Sequence, residues 1–188
     1  MIETARLILR PWRDADRAPY AAMMADPEVG YWLGGALSEA QANAQIDRFM
    51  ATSAARGPGW LAVERREDGA LLGAGCLREV LAGHPLAGDI EIGWRLAHSA
   101  WGAGYATEAA RALLDHGFAG LGLSEIVAFT AVSNTRSRAV MERLDFERQP
   151  HRDFDHPGLA AAHPLRRHVV YVIAARSFQA SISSGGMG

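Results

Sequence analysis

The sequence predicts a mixed α/β (α+β) fold in one domain, and three features of the chain carry that prediction. Short segments that alternate apolar and polar residues, as β-strands do, are interleaved with longer segments whose apolar residues recur at helical spacing. The pair Asp68-Gly69 between two apolar runs is a strong β-hairpin signal. A glycine-rich turn joins one predicted strand directly to a predicted helix. We therefore expect a mixed sheet with helices packed on its faces.

The composition is that of an ordinary globular protein, with 49% hydrophobic and 21% charged residues in a chain of 188. This length fits one core, so we predict one domain over residues 1–180 and a disordered small-residue tail over residues 181–188. The 19 basic residues are scattered and the net charge is -2, which argues against nucleic acid as a partner. A single cysteine, Cys76, excludes an internal disulfide framework.

Membrane and export signals are the next features to consider. No apolar run approaches the roughly 20 residues that span a bilayer, and the first residues lack the basic and apolar regions of a signal peptide. We therefore predict a cytoplasmic protein without a membrane partner, acting as a monomer or a homodimer.

In the first part of the chain, the patterns predict three strands and two helices. Pro11 ends the first strand, and Ser38 followed by Gln41 is typical of a helix start. The predicted elements are a strand over residues 4–10, a helix over 14–24, a turn at Asp26-Pro27, a helix from Ser38 to about Ala55, and antiparallel strands over 60–66 and 70–80.

In the second part of the chain, the alternation of residues between the two faces of a strand is most regular over residues 89–96. It places Glu91 and Arg95 on one face of a strand and Ile92 and Trp94 on the other. Beyond it we predict a glycine-rich turn at residues 101–106, a helix from Thr107 to about Gly120, a strand over 125–132, a helix over about 136–144 capped by Asn134, and strands over 146–148 and 167–174 around a polar loop at 151–163.

The glycine-rich turn is a candidate phosphate site. Glycines such as Gly102 and Gly104 let the backbone approach an anion, and the first amides of the following helix attract it. A plain strand-to-helix turn would have the same two glycines, so the surrounding residues must separate the two interpretations.

The surrounding residues are more specific. Glu91-Ile-Gly-Trp94, followed by Trp101-Gly-Ala-Gly-Tyr-Ala-Thr-Glu-Ala109, resembles the coenzyme A signature of the Gcn5-related N-acetyltransferase (GNAT) superfamily. The resemblance is strongest to the branch of ribosomal-protein alanine or serine N-acetyltransferases. It continues in the segments Thr4-Ala-Arg-Leu-Ile-Leu-Arg-Pro11, Asp26-Pro-Glu-Val29, Asn134-Thr-Arg-Ser137 and Leu144-Asp-Phe146, in the same order and at the same spacing over residues 2–175.

The resemblance implies a fold, a co-substrate and a set of binding residues. The fold is the GNAT fold, a mostly antiparallel sheet that splays apart at the cofactor site, with helices on both faces. The co-substrate is acetyl-CoA, and the acceptor is a primary amine on a peptide N-terminus or a small molecule. The residues that the resemblance places at the cofactor are Trp94, Asn134 and the pyrophosphate loop Trp101, Gly102, Ala103, Gly104, Tyr105 and Ala106. No metal is implied.

The reaction is the aminolysis of a thioester, which needs a base for the amine and an acid for the leaving thiolate. Glu91 is the candidate base, and the alternatives are a surface carboxylate or a partner of Arg95. Many superfamily members carry a tyrosine as the acid seven residues after the asparagine, but Met141 occupies that position here. Ser137 is the remaining candidate acid, unless it only braces the start of its helix.

Several other residues have less specific interpretations. The seven histidines lack the spacing of metal ligands, so we expect no bound metal. Cys76 and Tyr171 fit core positions in strands, and Asp153 and Asp155 in the late loop are candidates for binding a cationic amine. The missing tyrosine also leaves a second function open, that of a non-catalytic acyl-CoA-binding sensor or partner module.

Overall fold

The computed structural model describes residues 1–51 and 58–178, in which nine strands and five α-helices are followed by a helical turn at residues 175–178. The strands are β1 Ile2–Glu3, β2 Leu7–Arg10, β3 Gly59–Arg65, β4 Leu71–Glu79, β5 Ile90–Leu96, β6 Glu125–Ala131, β7 Glu147–Arg148, β8 Phe154–Asp155 and β9 Arg167–Ala174. The helices are α1 Arg17–Ala25, α2 Pro27–Tyr31, α3 Glu39–Ala51, α4 Tyr105–Asp115 and α5 Thr135–Arg143. None of the helices in these described ranges is long and apolar enough to cross a membrane.

All nine strands belong to one sheet, in the order β1-β2-β3-β4-β5-β6-β9-β7, with β8 paired to β9. Every pairing is antiparallel except that of β5 with β6, which run parallel and share the single register pair Glu91–Val127. The predicted mixed, mostly antiparallel and splayed sheet is therefore confirmed. Beyond that pair, the second half of β5 has no strand beside it on the β6 side.

The helices cover both faces of the sheet, as predicted. On one face, α4 and α5 pack through Leu113, Leu114 and Met141 into a cluster that also holds Leu77 and Ile126. On the opposite face, helices α1 to α3 form a second cluster with the sheet, centred on Tyr20, Met24 and Ile46. The side chains of β3 supply both clusters, since Leu61 and Val63 enter the first and Ala62 enters the second.

Several predicted boundaries in the first part of the chain are wrong. The strand predicted over residues 4–10 forms only over Leu7–Arg10, because the Thr4 amide donates to the Leu7 carbonyl and turns the chain there. The preceding residues Ile2–Glu3 form the separate short strand β1. The expected turn at Asp26-Pro27 starts the short helix α2, where the Asp26 carboxylate accepts from the Glu28 amide and Pro27 occupies the first turn. The predicted α3 start is confirmed, since Ser38 and Gln41 bond each other's amides, while residues 52–55 lie outside the described residues.

The second part of the chain departs less from the prediction. Helix α4 begins at Tyr105, two residues earlier than expected, and ends at Asp115, where a wider π-helical turn continues over His116–Gly120. The polar loop contains one unpredicted strand, β8, which adds to the end of β9. The predicted disordered tail at residues 181–188 lies outside the described residues.

Candidate active site

A cleft of about 1640 Å³ opens where β5 and β6 diverge, and it joins two ends that differ in chemistry. The loop end is formed by the glycine-rich loop, the start of α4 and helix α5. The far end is formed by the connection between α2 and α3, the loop between β4 and β5, and the segment after β8. The far-end lining consists of residues 32–34, residues 80–84, Phe129, His156, Pro157, Leu159, Leu165 and His168.

At the loop end, the glycines adopt the backbone conformation that phosphate loops use. Gly102 and Gly104 have φ angles of 79° and 82°, and no atom lies within 4 Å of the position a Cβ would take on Gly102. Gly104 precedes the first turn of α4, whose leading amides have no partners within the helix. The loop therefore presents N–H groups into open space and can bind an anion.

An ion-pair clamp that the sequence analysis missed holds this loop against the start of the chain. Arg6 donates Nη1 to the Ala103 carbonyl at 3.0 Å and Nε to Glu108 at 2.7 Å, and its guanidinium lies 4.6 Å from the centre of the Tyr105 ring. Glu108 also accepts from the Thr4 hydroxyl at 2.6 Å. Burial alone would raise the pKa of Glu108, but the bonds from Thr4 and Arg6 lower it below its usual value.

The predicted loop residues therefore have different positions. Gly102, Gly104 and Ala106 line the cleft, whereas Ala103 and Tyr105 do not line it and face the Arg6 clamp instead. The other predicted cofactor residues, Trp94, Trp101 and Asn134, also line the cleft.

Trp101 ties the loop to the open strand. Its indole N–H donates to the Leu96 carbonyl at the end of β5 at 2.9 Å, so the nitrogen is not available to a ligand. The guanidinium of Arg136 lies 4.6 Å from the ring centre, on the first turn of α5. Arg111 and Arg143 also line the cleft. The loop end therefore gathers cations near the glycine amides.

Glu91 lies at the point where β5 and β6 separate, and it is only 6% exposed. Its partner is Arg78, opposite it in the register of β4 and β5, and the predicted alternative of a pair with Arg95 is wrong. Oε1 of Glu91 accepts from Nε of Arg78 at 2.6 Å and from its Nη2, while Oε2 makes no hydrogen bond to any residue in the described ranges. Burial raises the pKa of Glu91, and this effect outweighs the opposing influence of Arg78 and Arg95.

Asn134 and Ser137 form the start of α5, as predicted. The Asn134 side chain caps the helix by accepting from the Ser137 amide at 3.2 Å, and it donates to the Thr130 hydroxyl at 3.0 Å. The Ser137 hydroxyl makes no hydrogen bond to any described residue, and the side chain lines the cleft. Met141, which occupies the position of the tyrosine in many superfamily members, is 2% exposed, so a buried thioether lies there.

The far end is apolar and aromatic. His84 lies with its ring centre 5.0 Å from that of Phe129, and His156 lies 5.0 Å from His168. Burial lowers the pKa of His84, His156 and His168, so these rings are neutral near pH 7. Among the described residues, no group of histidines, cysteines and carboxylates is arranged to hold a metal ion.

The two late-loop carboxylates are not available to an acceptor amine, contrary to one predicted role. Asp153 pairs with Arg148 and accepts from the Val170 amide at 3.1 Å, while Asp155 faces Arg166 and Arg167. Neither carboxylate lines the cleft.

The expected core positions of Cys76 and Tyr171 are confirmed. Cys76 is fully buried, and burial raises the pKa of its thiol to about 12. Tyr171 is 3% exposed, and its hydroxyl is bonded to Glu142 and Arg138.

Comparison with known proteins identifies the family. Residues 6–147 match the family model of the acetyltransferase (GNAT) domain. The chain is 32% identical over 152 residues to YoaA of Bacillus subtilis (strain 168), described as an uncharacterized N-acetyltransferase, an alignment that covers 79% of this chain and 84% of that protein. The chain therefore belongs to the GNAT acetyltransferase family, and the predicted superfamily is confirmed.

Solved structures agree with this assignment at the level of the fold. A GNAT-family acetyltransferase from Bacillus anthracis has a TM-score of 0.77 at 23% identity, covering 93% of this chain and 98% of that one. Spermidine N-acetyltransferase from Vibrio cholerae, in complex with CoA and spermine, gives 0.72 at 17% identity, with coverage of 94% and 99%. RimJ of Mycobacterium smegmatis, in complex with CoA-disulfide, gives 0.71 at 23% identity, with coverage of 95% and 89%.

Proposed function

We propose that this protein is an N-acetyltransferase that moves the acetyl group of acetyl-CoA to a primary amine. The observation that carries the proposal is the position of Glu91. This buried carboxylate, with a raised pKa and a free Oε2, lies between a phosphate-type loop and an apolar far end. Such a group is suited to take a proton from an amine near neutral pH.

The loop end fits coenzyme A. Its positive-φ glycines leave room for the pyrophosphate, and Arg136 and Arg143 supply charge for phosphate groups. The second half of β5 has a free edge, along which the pantetheine arm can bond as an added strand would, between Trp94 and Asn134. Acetyl-CoA supplies the activated acyl group as a thioester. The CoA complexes of two similarly folded proteins support this assignment.

In the proposed reaction, Oε2 of Glu91 takes a proton from the acceptor ammonium, directly or through a water. The freed nitrogen lone pair then bonds to the acetyl carbon. As the carbon–sulfur bond breaks, the departing thiolate takes the proton of the Ser137 hydroxyl, and the second proton that the new amide nitrogen loses passes to the Ser137 oxygen. Arg78 keeps the remaining carboxylate oxygen fixed through its hydrogen bonds to Oε1. Holding both reactants in one cleft supplies a large part of the rate, since effective molarities reach about 10⁵ M or more.

Ser137 is the proposed proton donor to the departing thiolate. Its hydroxyl is unbonded and lies in the cleft, and Met141 carries no transferable proton. Its backbone N–H, not its hydroxyl, makes the bond that caps α5, so the hydroxyl is free for the reaction.

The first test measures release of the CoA thiol with a panel of peptides, polyamines and aminoglycosides. A sensor would bind acetyl-CoA and release no thiol with any amine, whereas we expect release from the parent protein.

Glu91→Gln should lower kcat by about 100-fold with little change in acetyl-CoA affinity, because the general base is lost. The loss should shrink as pH rises and free amine becomes more abundant.

The matched control for Glu91→Gln is Glu147→Gln, which removes an exposed carboxylate on β7, outside the cleft, and should leave kcat unchanged. If Glu91→Gln kept the parental rate at every pH, Glu91 would have no part in proton transfer.

The phosphate role of the loop predicts a selective loss in Gly104→Val. A valine at this positive φ is strained, and its Cβ would lie 3.4 Å from Nη2 of Arg6, so the loop must shift and CoA affinity should fall by more than tenfold by calorimetry. Gly69→Val, at a φ of 72° in the β3–β4 hairpin, carries the same backbone strain away from the cleft and serves as the control. Equal CoA affinities for the two folded variants would contradict the assignment of this loop.

The role of Ser137 predicts that Ser137→Ala lowers kcat by about tenfold, with the KM for acetyl-CoA little changed. Because the capping bond uses the backbone amide, the alanine variant should keep the parental Tm. A variant with reduced Tm and parental kcat would make Ser137 a structural residue only.

A further inference from the structure

The far end of the cleft has a charge pattern that bears on which amines can enter. Among the described residues that line the cleft, the only carboxylates are Glu91 and Glu108. Glu108 is held by Arg6 and Thr4 at the loop end, and one oxygen of Glu91 is held by Arg78. Only Oε2 of Glu91 is therefore open to an incoming ammonium.

Two carboxylates near the far end are already paired with arginines. Asp89 pairs with Arg152, and Asp153 pairs with Arg148. Asp155, at the end of β8, faces Arg166 and Arg167 and does not line the cleft. A second ammonium inside the far end would thus find no carboxylate among the described lining residues of that end to replace the water it gives up.

Two cations of the cleft lining, Arg78 beside Glu91 and Arg95 further along β5, oppose a second positive charge on a molecule that reaches Glu91. Arg78 and Arg95 both line the cleft, and Arg95 lies 4.1 Å from the centre of the Trp60 ring. Like charges brought together in a partly buried site repel each other, and screening by water is reduced there.

The side chains that line the far end are suited to contact the apolar part of an acceptor molecule. Trp32, Leu33 and Leu81 line it, and Leu33 and Leu81 are 40% and 69% exposed. A Cβ on Gly34 would lie 3.7 Å from Leu159, which brings the α2–α3 connection against the segment after β8. The neutral histidine rings continue this surface toward Phe129.

We propose that the far end selects acceptors with one basic nitrogen on an apolar or aromatic body and rejects polycationic amines. This inference rests on the proposed N-acetyltransferase function and narrows its substrate class. The acceptor nitrogen reaches Oε2 of Glu91, and the rest of the molecule packs against the apolar walls. A polyamine would carry a further ammonium into the far end, where no described lining residue other than Glu91 offers a carboxylate and where the guanidinium of Arg78 lies beside Glu91.

The test compares n-pentylamine with 1,5-diaminopentane, which have the same carbon chain and differ in the second ammonium. Phenethylamine is the aromatic arm of the same thiol-release assay. We expect kcat/KM for the monoamine to exceed that of the diamine by about tenfold or more, and phenethylamine to be at least as good as pentylamine. A diamine as good as pentylamine would overturn the inference while leaving acetyl transfer intact. Absence of thiol release with every amine would instead overturn the proposed function.

A gain-of-function variant tests the location of this selectivity. Leu81→Glu adds a carboxylate at the far end and should raise kcat/KM for the diamine about threefold, with no gain for pentylamine. Leu121→Glu makes the same charge change at a leucine that is 43% exposed and outside the cleft, and it should change neither value. Identical effects of the two variants would show that the far end does not choose the acceptor.

Discussion

The parallel contact between β5 and β6 is the constraint on which the rest of the structure depends. The other strand pairs of this sheet are antiparallel, and these two strands meet at the single pair Glu91–Val127 before they diverge. The divergence leaves one edge of β5 free and opens the cleft into the middle of the sheet. Because only a short turn at His98–Ala100 separates β5 from the glycine-rich loop, the same strand leads from Glu91 to that loop.

The two cleft carboxylates have opposite pKa shifts, and this difference assigns them different roles. Glu108 accepts several hydrogen bonds from Thr4 and Arg6, so its pKa is lowered and it stays charged as a fixed part of the loop clamp. Burial raises the pKa of Glu91, although Arg78 holds one of its oxygens. A carboxylate of this kind binds and releases a proton more readily near neutral pH than an exposed one.

Local signals allowed much of the fold and part of the site to be predicted from the sequence. The Asp68-Gly69 hairpin and the capping of α5 by Asn134 depend on neighbouring residues, and both are observed. The pairing of Arg78 with Glu91, 13 residues further along the chain, depends on the register of β4 against β5, which no local pattern specifies. The pairing of Asp153 depends in the same way on tertiary contacts, here with Arg148 on β7 and the Val170 amide on β9.

The most direct measurement of the central claim is the pKa of the Glu91 carboxyl group itself, by NMR titration of selectively labelled protein with Glu91→Gln to assign the signal. The account predicts a value above the ordinary glutamate value of about 4.3, equal to the pKa on the acidic side of the kcat/KM profile for the amine. Activity should therefore fall as pH decreases through that value. A Glu91 pKa at or below the ordinary value, or an acidic limb unrelated to it, would contradict the assignment of Glu91 as the proton acceptor.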